Sequence, residues 1–156
     1  MKHSDLVANG EAFKAIVVGN ADVGKTRMTY LFVNSTVPPE AKRQTIGVEY
    51  FSKVVKFGMI DAASKLPTSK AMRISFYDTA GQEKYDAITT AHYRRAVGAL
   101  VCYSVSDRAS FKAVPKWIDQ VVQNSGPTCS IVLVANKSDI PANEREVSTA
   151  EGEAMA

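Results

Sequence analysis

Short apolar runs alternate with stretches of helical periodicity along this chain. The first run, residues 13–18 (FKAIVV), is rich in β-branched side chains and is followed at once by Gly19, which predicts a buried strand. Residues 24–33 then predict a helix, and the turn-rich stretch 34–44, with its two adjacent prolines, predicts an exposed loop. The chain therefore opens as strand, helix and loop.

The same alternation continues into the second half of the chain. Residues 49–57 and 72–77 show partial alternation of apolar and polar positions, and the polar stretch between them predicts an antiparallel hairpin with a long tip. Buried strands are predicted at 99–103 and 131–135, separated by a helix over 110–124. This order predicts an α/β fold with a mostly parallel sheet, one antiparallel edge hairpin, and helices on both faces.

A final helix is predicted from residue 148 onward. Ser148 and Glu151 match a capping box, in which the serine accepts a hydrogen bond from the first turn and the glutamate reaches back to the cap. A helix this short depends on packing, because helix nucleation is costly.

Composition narrows the class of protein. The 156 residues, 46% hydrophobic and 22% charged, fit one globular domain. The net charge of +3 comes from scattered Lys and Arg, which argues only weakly for nucleic acid or an anionic membrane. Cys102 and Cys129 lie in or beside apolar runs and are expected to be reduced thiols. Because no secretory signal and no run of about 20 apolar residues occurs, a cytosolic chain is expected.

A glycine-rich motif between the first strand and the first helix carries candidate phosphate chemistry. It fits GxxxxGK[ST] and consists of Gly19, Asn20, Ala21, Asp22, Val23, Gly24, Lys25 and Thr26. Its glycines permit backbone torsions that let N–H groups converge on a phosphate at a helix N-terminus. Lys25 would meet the outer phosphates and the Thr26 hydroxyl would coordinate Mg²⁺. The alternative is a turn without a ligand, and the motif alone does not choose between ATP and GTP.

A second candidate motif, Asn136, Lys137, Ser138 and Asp139, directly follows the predicted strand 131–135. It falls at the carboxyl end of a parallel sheet, where ligands bind. The Asp139 carboxylate can accept two N–H bonds from the edge of guanine, whereas adenine offers no equivalent pair. Taken alone, NKSD would more often be an ordinary loop in which Asn136 and Asp139 act as turn residues.

A third motif, DTAGQE, begins at Asp78, directly after the predicted strand 72–77. Asp78 is suited to hold Mg²⁺ through water, and Gly81 can bring a backbone N–H to a terminal phosphate. Gln82 would orient an attacking water. A turn that only reverses the chain is the alternative interpretation.

GNADVGKT, TIGVEY, DTAGQE and NKSD occur in the order and approximate spacing found in small GTPases, and the chain resembles the Rab family from Phe13 onward. Residues 45–50, 85–89 and 92–96 resemble the Rab effector segment and second switch. The run AITTAHYRRAVGAL leans towards the Rabs of recycling endosomes. The resemblance implies the P-loop NTPase fold of a small G-domain.

The resemblance also implies a function, a GTP-hydrolysing switch in vesicle traffic with GTP or GDP and Mg²⁺ as cofactors. Thr26, Thr45 and Asp78 would hold the metal, Thr45 only in the GTP state, and Gln82, Lys25 and Thr45 would be catalytic. Intrinsic hydrolysis would be slow, because no arginine is placed to reach the γ-phosphate, so a GTPase-activating protein would supply most of the electrostatic catalysis.

Partners follow from the same resemblance. The apolar effector and switch surface would comprise Ile46, Gly47, Val48, Phe76, Tyr77 and Tyr93. The alternative is that the apolar members of this set only pack in the core. For Val48 and Phe76 the two interpretations have equal weight. The expected partners are an activating protein, an exchange factor and effectors, with no nucleic acid. Membrane contact is expected only through a prenylated C-terminus, which this sequence lacks, so a full-length prenylated chain would be cytoplasmic and peripheral on endomembranes.

Several positions depart from the Rab pattern. We expect residues 1–12 to be an N-terminal extension and 13–156 a G-domain truncated before its last strand, its guanine-contacting Ser-Ala-Lys type loop and its covering helix. Val37 or Pro38 replaces the aromatic that stacks on guanine, Asp22 puts a carboxylate in the phosphate loop, and Tyr77 replaces a tryptophan. The stretch 59–70 is longer than in most Rabs.

Two other function classes remain open from the sequence. A binding-only relative without a working cycle is favoured by Val37 or Pro38, by Asp22 and by the missing end. The intact Gln82 and Thr45 argue against it. An ATP-using P-loop enzyme is disfavoured by the NKSD motif.

Overall fold

The computed structural model describes residues 12–38, 45, 47–61, 63–80 and 91–156. Within this part of the chain the strands are β1 (Ala12–Val18), β2 (Val48–Ile60), β3 (Pro67–Thr79), β4 (Gly98–Ser104) and β5 (Ser130–Asn136). The helices with described bounds are α1 (Lys25–Asn34), α2 (Arg108–Lys112), α3 (Val114–Ser125) and α4 (Thr149–Met155), and a 3-10 turn spans Ala142–Glu144.

The five strands form one sheet in the order β2-β3-β1-β4-β5. β1 pairs in parallel with β3 and with β4, β4 pairs in parallel with β5, and β2 pairs with β3 in antiparallel fashion. The predicted α/β fold, a mostly parallel sheet with one antiparallel edge hairpin, is confirmed. Because β1, β3 and β5 run in the same direction, their carboxyl ends lie at one edge of the sheet.

Alternate residues of β1 supply two hydrophobic cores, one on each face of the sheet. Ile16 and Val18 join the core that contains Trp117 and Val121 of α3, whereas Val17 joins the core against which Met28 of α1 packs. Successive side chains of a strand point to opposite faces of the sheet. Helices therefore pack on both faces, α3 on one and α1 on the other.

The hairpin is longer than the sequence pattern predicted. β2 and β3 stay in register from the pair Val48 and Thr79 to the pair Ile60 and Pro67, so most of the stretch taken as a polar tip is strand. β2 ends at Ile60 and β3 begins at Pro67. The prediction failed because strand pairing satisfies backbone groups regardless of whether the side chains are apolar.

The helix predicted over 110–124 is two helices in the structure. α2 ends at Lys112 and α3 begins at Val114, with Ala113 between them. Pro115 has no N–H to donate to the carbonyl of Phe111, so a continuous helix would lack one of its bonds there. Asp107 caps α2 by accepting from the backbone N–H groups of Ala109 and Ser110, and the chain re-enters a helix with Pro115 in its first turn.

The predicted capping box at the start of α4 is confirmed. The Ser148 hydroxyl accepts from Glu151 N, and the Glu151 carboxylate accepts from Ser148 N at 2.9 Å. Arg108 of α2 also donates to that carboxylate, at 2.5 Å. Within the described ranges, no helix has the length and apolar character needed to cross a membrane.

Candidate nucleotide-binding site

The loop from β1 to α1 passes so close to the sheet that only glycine fits at two of its positions. Gly19 has φ of 139°, and a Cβ there would lie 2.1 Å from the carbonyl oxygen of Cys102 in β4. Gly24 has φ of 92°, and its Cβ would lie 2.5 Å from Nδ2 of Asn136. The fixed spacing of the motif is therefore a packing requirement as well as a ligand requirement.

Lys25 is buried beneath this loop. Its ammonium donates hydrogen bonds to the carbonyl oxygens of Gly19, at 2.8 Å, and Asn20, at 2.7 Å. Burial lowers the pKa of Lys25, and the nearby carboxylate of Asp78 acts in the opposite direction. The loop thus holds a positive charge at its base, where a phosphate would need it.

Three side-chain oxygens from distant parts of the chain converge beside Lys25. The Thr26 hydroxyl donates to the fully buried Asp78 carboxylate and lies 2.8 Å from the Thr45 hydroxyl. Because the single proton of Thr26 goes to Asp78, Thr45 is the donor in the second bond. Hydroxyl and carboxylate oxygens are the hard donors that Mg²⁺ prefers. The donor set therefore fits the cation inferred from the sequence.

The described residues offer no competing metal site of the usual acidic or thiol type. No group of three or more His, Cys, Asp or Glu side chains suited to an ion occurs in the ranges that the structure covers. The Thr26, Thr45 and Asp78 cluster was recognisable from the sequence only through its motifs.

Asn136 joins the NKSD motif to the phosphate loop. Its Nδ2 donates to the carbonyl oxygen of Val23 at 2.8 Å, across 113 residues of sequence. Lys137 next to it has φ of 61°, and the Asp139 side chain is exposed at the same edge of the sheet. The structure thus brings the phosphate and base motifs into direct contact.

Arg145 holds the NKSD loop from behind, and the sequence pattern did not single it out. Its Nη2 donates to the carbonyl oxygen of Ser138 at 2.7 Å, and its Nε donates to that of Ile140 at 3.0 Å. These two carbonyls bracket Asp139. The only sequence signal is an arginine a few residues after the motif, which by itself reads as an ordinary surface charge.

Trp117 of α3 was also missed as a site residue. Its indole Nε1 donates to Oδ1 of Asn20 at 2.8 Å while its ring lies in the core. In the sequence it counts only as one apolar position of a helix. A buried indole N–H nevertheless requires an acceptor, and that requirement was the available signal.

The two predicted switch segments meet at their described ends. The carbonyl oxygen of Gly47 accepts from Ala80 N at 2.8 Å, and Val48 pairs with Thr79. Gly81, Gln82 and Ile46 lie outside the described residues. Their predicted roles stay predictions.

The predicted effector surface is only partly at the surface. Phe76 and Tyr93 are 8% and 2% exposed and belong to the two cores, so the core-packing alternative describes both. Tyr77 is half-buried and packs edge-on against the exposed ring of Tyr50, 5.4 Å away. Val48 is partly buried at the start of β2.

Two of the departures from the Rab pattern are visible at the loop. Asp22 is exposed and has φ of 62°, a left-handed conformation in a non-glycine residue. Val37 is 59% exposed.

Comparison with known proteins agrees with this geometry. The model of the Ras family matches residues 14–156. Ras-related protein Rab-11B of Dictyostelium discoideum is 39% identical over 143 residues, covering 92% of this chain and 60% of the relative. Ras-related protein RABA5a of Arabidopsis thaliana is 37% identical over 144 residues, with the same two coverages. The chain spans 60% of the length of these relatives.

The resemblance inferred from the motifs is therefore confirmed, including the lean towards the recycling-endosome Rabs. The matched segment contains all of the phosphate, metal and base motifs described above. The chain belongs to the Ras family, and within it to the Rab-type small GTPases.

Proposed function

We propose that this chain is a GTP-binding and GTP-hydrolysing switch that regulates vesicle traffic through effectors bound in the GTP state. The observation that carries the proposal is the bond from Asn136 to the carbonyl of Val23, because it fixes a guanine-reading loop against a phosphate loop. A nucleotide that spans the two loops would contact the phosphate loop and the NKSD loop at the same time.

Each polar residue of the site has a distinct task in this proposal. Lys25, held by two loop carbonyls, places its charge against the outer phosphates. Thr26, Thr45 and Asp78 present oxygens for Mg²⁺, which would neutralise developing charge on the phosphates. Asp139 would accept from the guanine edge, with its loop braced by Arg145.

Hydrolysis would proceed by in-line attack of water on the γ-phosphate. Gln82 would orient the water, and Gly81 would donate its backbone N–H to the phosphate. Slow intrinsic turnover and dependence on an activating protein complete the proposal, along with an exchange factor and effectors as partners. A prenylated full-length chain would be cytoplasmic and peripheral on endomembranes.

The first experiment is to measure the nucleotide content of the purified chain, with and without Mg²⁺, by chromatography of the released bases. Stoichiometric GDP or GTP supports the proposal, and recovery of adenine nucleotide contradicts it. Asn136→Ala and Asp139→Ala should lose the guanine nucleotide, whereas Asp119→Ala, an exposed carboxylate on α3, should retain it.

A binding module without a working hydrolytic cycle is the second candidate. Two observations favour it, the exposed Val37 where an aromatic would cover the base and the left-handed Asp22 in the phosphate loop. A single-turnover assay separates the two candidates. Phosphate release that an activating protein accelerates, and that Gln82→Leu abolishes, excludes the binding module.

A further inference from the structure

The outer part of the β2–β3 hairpin projects beyond the rest of the sheet. β1 pairs with β3 only as far as Arg73, and among the described residues no other strand accompanies the hairpin past that point. Six further residue pairs, from Val55 and Met72 to Ile60 and Pro67, extend the hairpin by roughly 20 Å at 3.3 Å per residue.

The projecting end carries aliphatic side chains at its tip. Ile60 is 71% exposed and Leu66 is 64% exposed, the two largest values among the large hydrophobic residues of the described chain. They flank the turn, whose shape is fixed by the Asp61 carboxylate. This carboxylate accepts from Ser64 N at 2.7 Å, from the Ser64 hydroxyl at 2.8 Å and from Ala63 N at 3.2 Å.

The hairpin as a whole carries an excess of positive charge. Residues 53–73 contain the cationic residues Lys53, Lys56, Lys65, Lys70 and Arg73, with Asp61 as their single acidic residue. The segment therefore carries a net charge of +4, whereas the whole chain carries +3. These cations look scattered along the sequence, but strand pairing gathers them on one hairpin.

The strand register places two of these cations on the face of the hairpin that also carries Ile60. Lys56 and Ile60 share one face of β2, and Arg73 of β3 lies on that face because it pairs with Val54. The opposite face, marked by Phe51 and Phe76, packs towards α1. Lys56, Lys65 and Arg73 are all exposed.

We propose that the hairpin tip, defined as Ile60, Asp61 and residues 63–66 with Lys56 behind them, docks on an anionic lipid surface. The exposed Ile60 and Leu66 side chains at the end of this projection can enter the headgroup region, and Lys65 and Lys56 then lie near the lipid phosphates. An acidic protein groove would satisfy the cations, but it would leave the exposed Ile60 and Leu66 side chains without an apolar partner. This contact adds a second site of membrane contact to the lipid anchor expected from the family, and it does not depend on nucleotide hydrolysis.

The test is co-sedimentation of the GDP-loaded chain with vesicles of phosphatidylcholine alone or of phosphatidylcholine mixed with phosphatidylserine. We expect binding to the anionic vesicles that weakens as salt is added. Because each lysine near such a surface contributes about fivefold in affinity, Lys56→Glu with Lys65→Glu should weaken binding by more than about tenfold. Ile60→Ser with Leu66→Ser should also weaken it at unchanged charge.

Matched controls come from α3, on a different part of the surface. Lys116→Glu and Val122→Ser alter an exposed cation and an exposed aliphatic residue there, and both should sediment like the wild type. Guanine nucleotide content is measured for every variant, so that loss of the nucleotide site is distinguished from loss of lipid binding. Lys65→Gln alone, at the exposed turn, serves as a variant with minimal effect on folding.

Two results overturn the proposal. One is a wild-type chain that sediments with neither kind of vesicle, whether or not its tip binds an acidic protein. The other is tip variants that bind anionic vesicles as well as the α3 controls do.

Discussion

The indole nitrogen of Trp117 donates a 2.8 Å hydrogen bond to the side-chain oxygen of Asn20. This bond connects a buried residue of α3 to the phosphate loop, whose carbonyl oxygens accept two hydrogen bonds from Lys25. A residue 97 positions away in the sequence therefore positions the phosphate loop.

Trp117→Phe should loosen that loop while preserving most of the core packing. Losing one buried hydrogen bond should lower the free energy of unfolding by about 1 kcal/mol, plus a packing loss from the smaller ring. We expect faster release of a fluorescent GDP analogue, measured by stopped flow. In an Asn20→Ala background the same substitution should have a much smaller effect on release, and equal effects in both backgrounds would contradict the coupling.

Gly24→Ala should be strongly destabilising. The new Cβ would lie 2.5 Å from Asn136 Nδ2 at a φ of 92°, and left-handed backbone alone costs a non-glycine residue roughly 1–2 kcal/mol. Urea unfolding should show the loss. Gly58→Ala is the matched control, since a Cβ there meets nothing within 4 Å.

Combining Gly24→Ala with Asn136→Ala separates the steric cost from the backbone cost. The double variant should lose less stability than the sum of the single variants, because the clashing side chain is gone. Strict additivity would show that the contact between the two motifs is not what excludes a Cβ at position 24.

Asp22 tests whether charge or backbone strain weakens the phosphate loop. Asp22→Asn removes the carboxylate but keeps a side chain on a left-handed backbone. Asp22→Gly removes the carboxylate and also the backbone strain, because glycine adopts this conformation without steric cost. If repulsion of the phosphates dominates, both should slow GDP release by about two- to fivefold, and only Asp22→Gly should also raise the melting temperature. Unchanged release in both would mean that the exposed carboxylate points away from the nucleotide.

Glu151 should make stability sensitive to acid. The hydrogen bond from Arg108, followed by those from Ser148, lowers the pKa of Glu151 from 4.5 to about 2. A carboxylate with a depressed pKa stabilises the folded state above its unfolded pKa and loses that contribution as the pH falls. The loss should therefore fall between about pH 4.5 and pH 2.

Urea unfolding across that pH range provides the measurement. Glu151→Gln should remove part of the pH dependence. Because the Arg108 and Glu151 side chains are both partly exposed, added salt should shrink the difference. A wild-type profile that matches Glu151→Gln would refute the assignment.

Local patterns made much of the fold predictable. A β-branched run followed by Gly19 and a helical pattern specifies strand, turn and helix within about twenty residues, which is why the phosphate loop could be placed. The capping box of Ser148 and Glu151 was predictable for the same reason. Its partners lie three residues apart.

Contacts between distant segments were not predictable in this way. Nothing near Asn136 in the sequence indicates that its side chain reaches Val23, and Trp117 resembles any other core residue of a helix. Pro115 indicated the break between α2 and α3. The helical spacing of apolar residues continues across that break, however, and so favoured a single helix. Residues 67–70 (PTSK), at the outer end of β3, carry no apolar alternation, so the length of that strand could come only from the structure.

The hydrogen bonds of Lys25 limit how it can treat a ligand. An ammonium group has three donors, and two of them already serve Gly19 and Asn20. Within the described part of the chain, one donor is left to point outward. With both carbonyls kept as partners, Lys25 would donate to one phosphate oxygen and would act on the neighbouring outer phosphate through its charge alone.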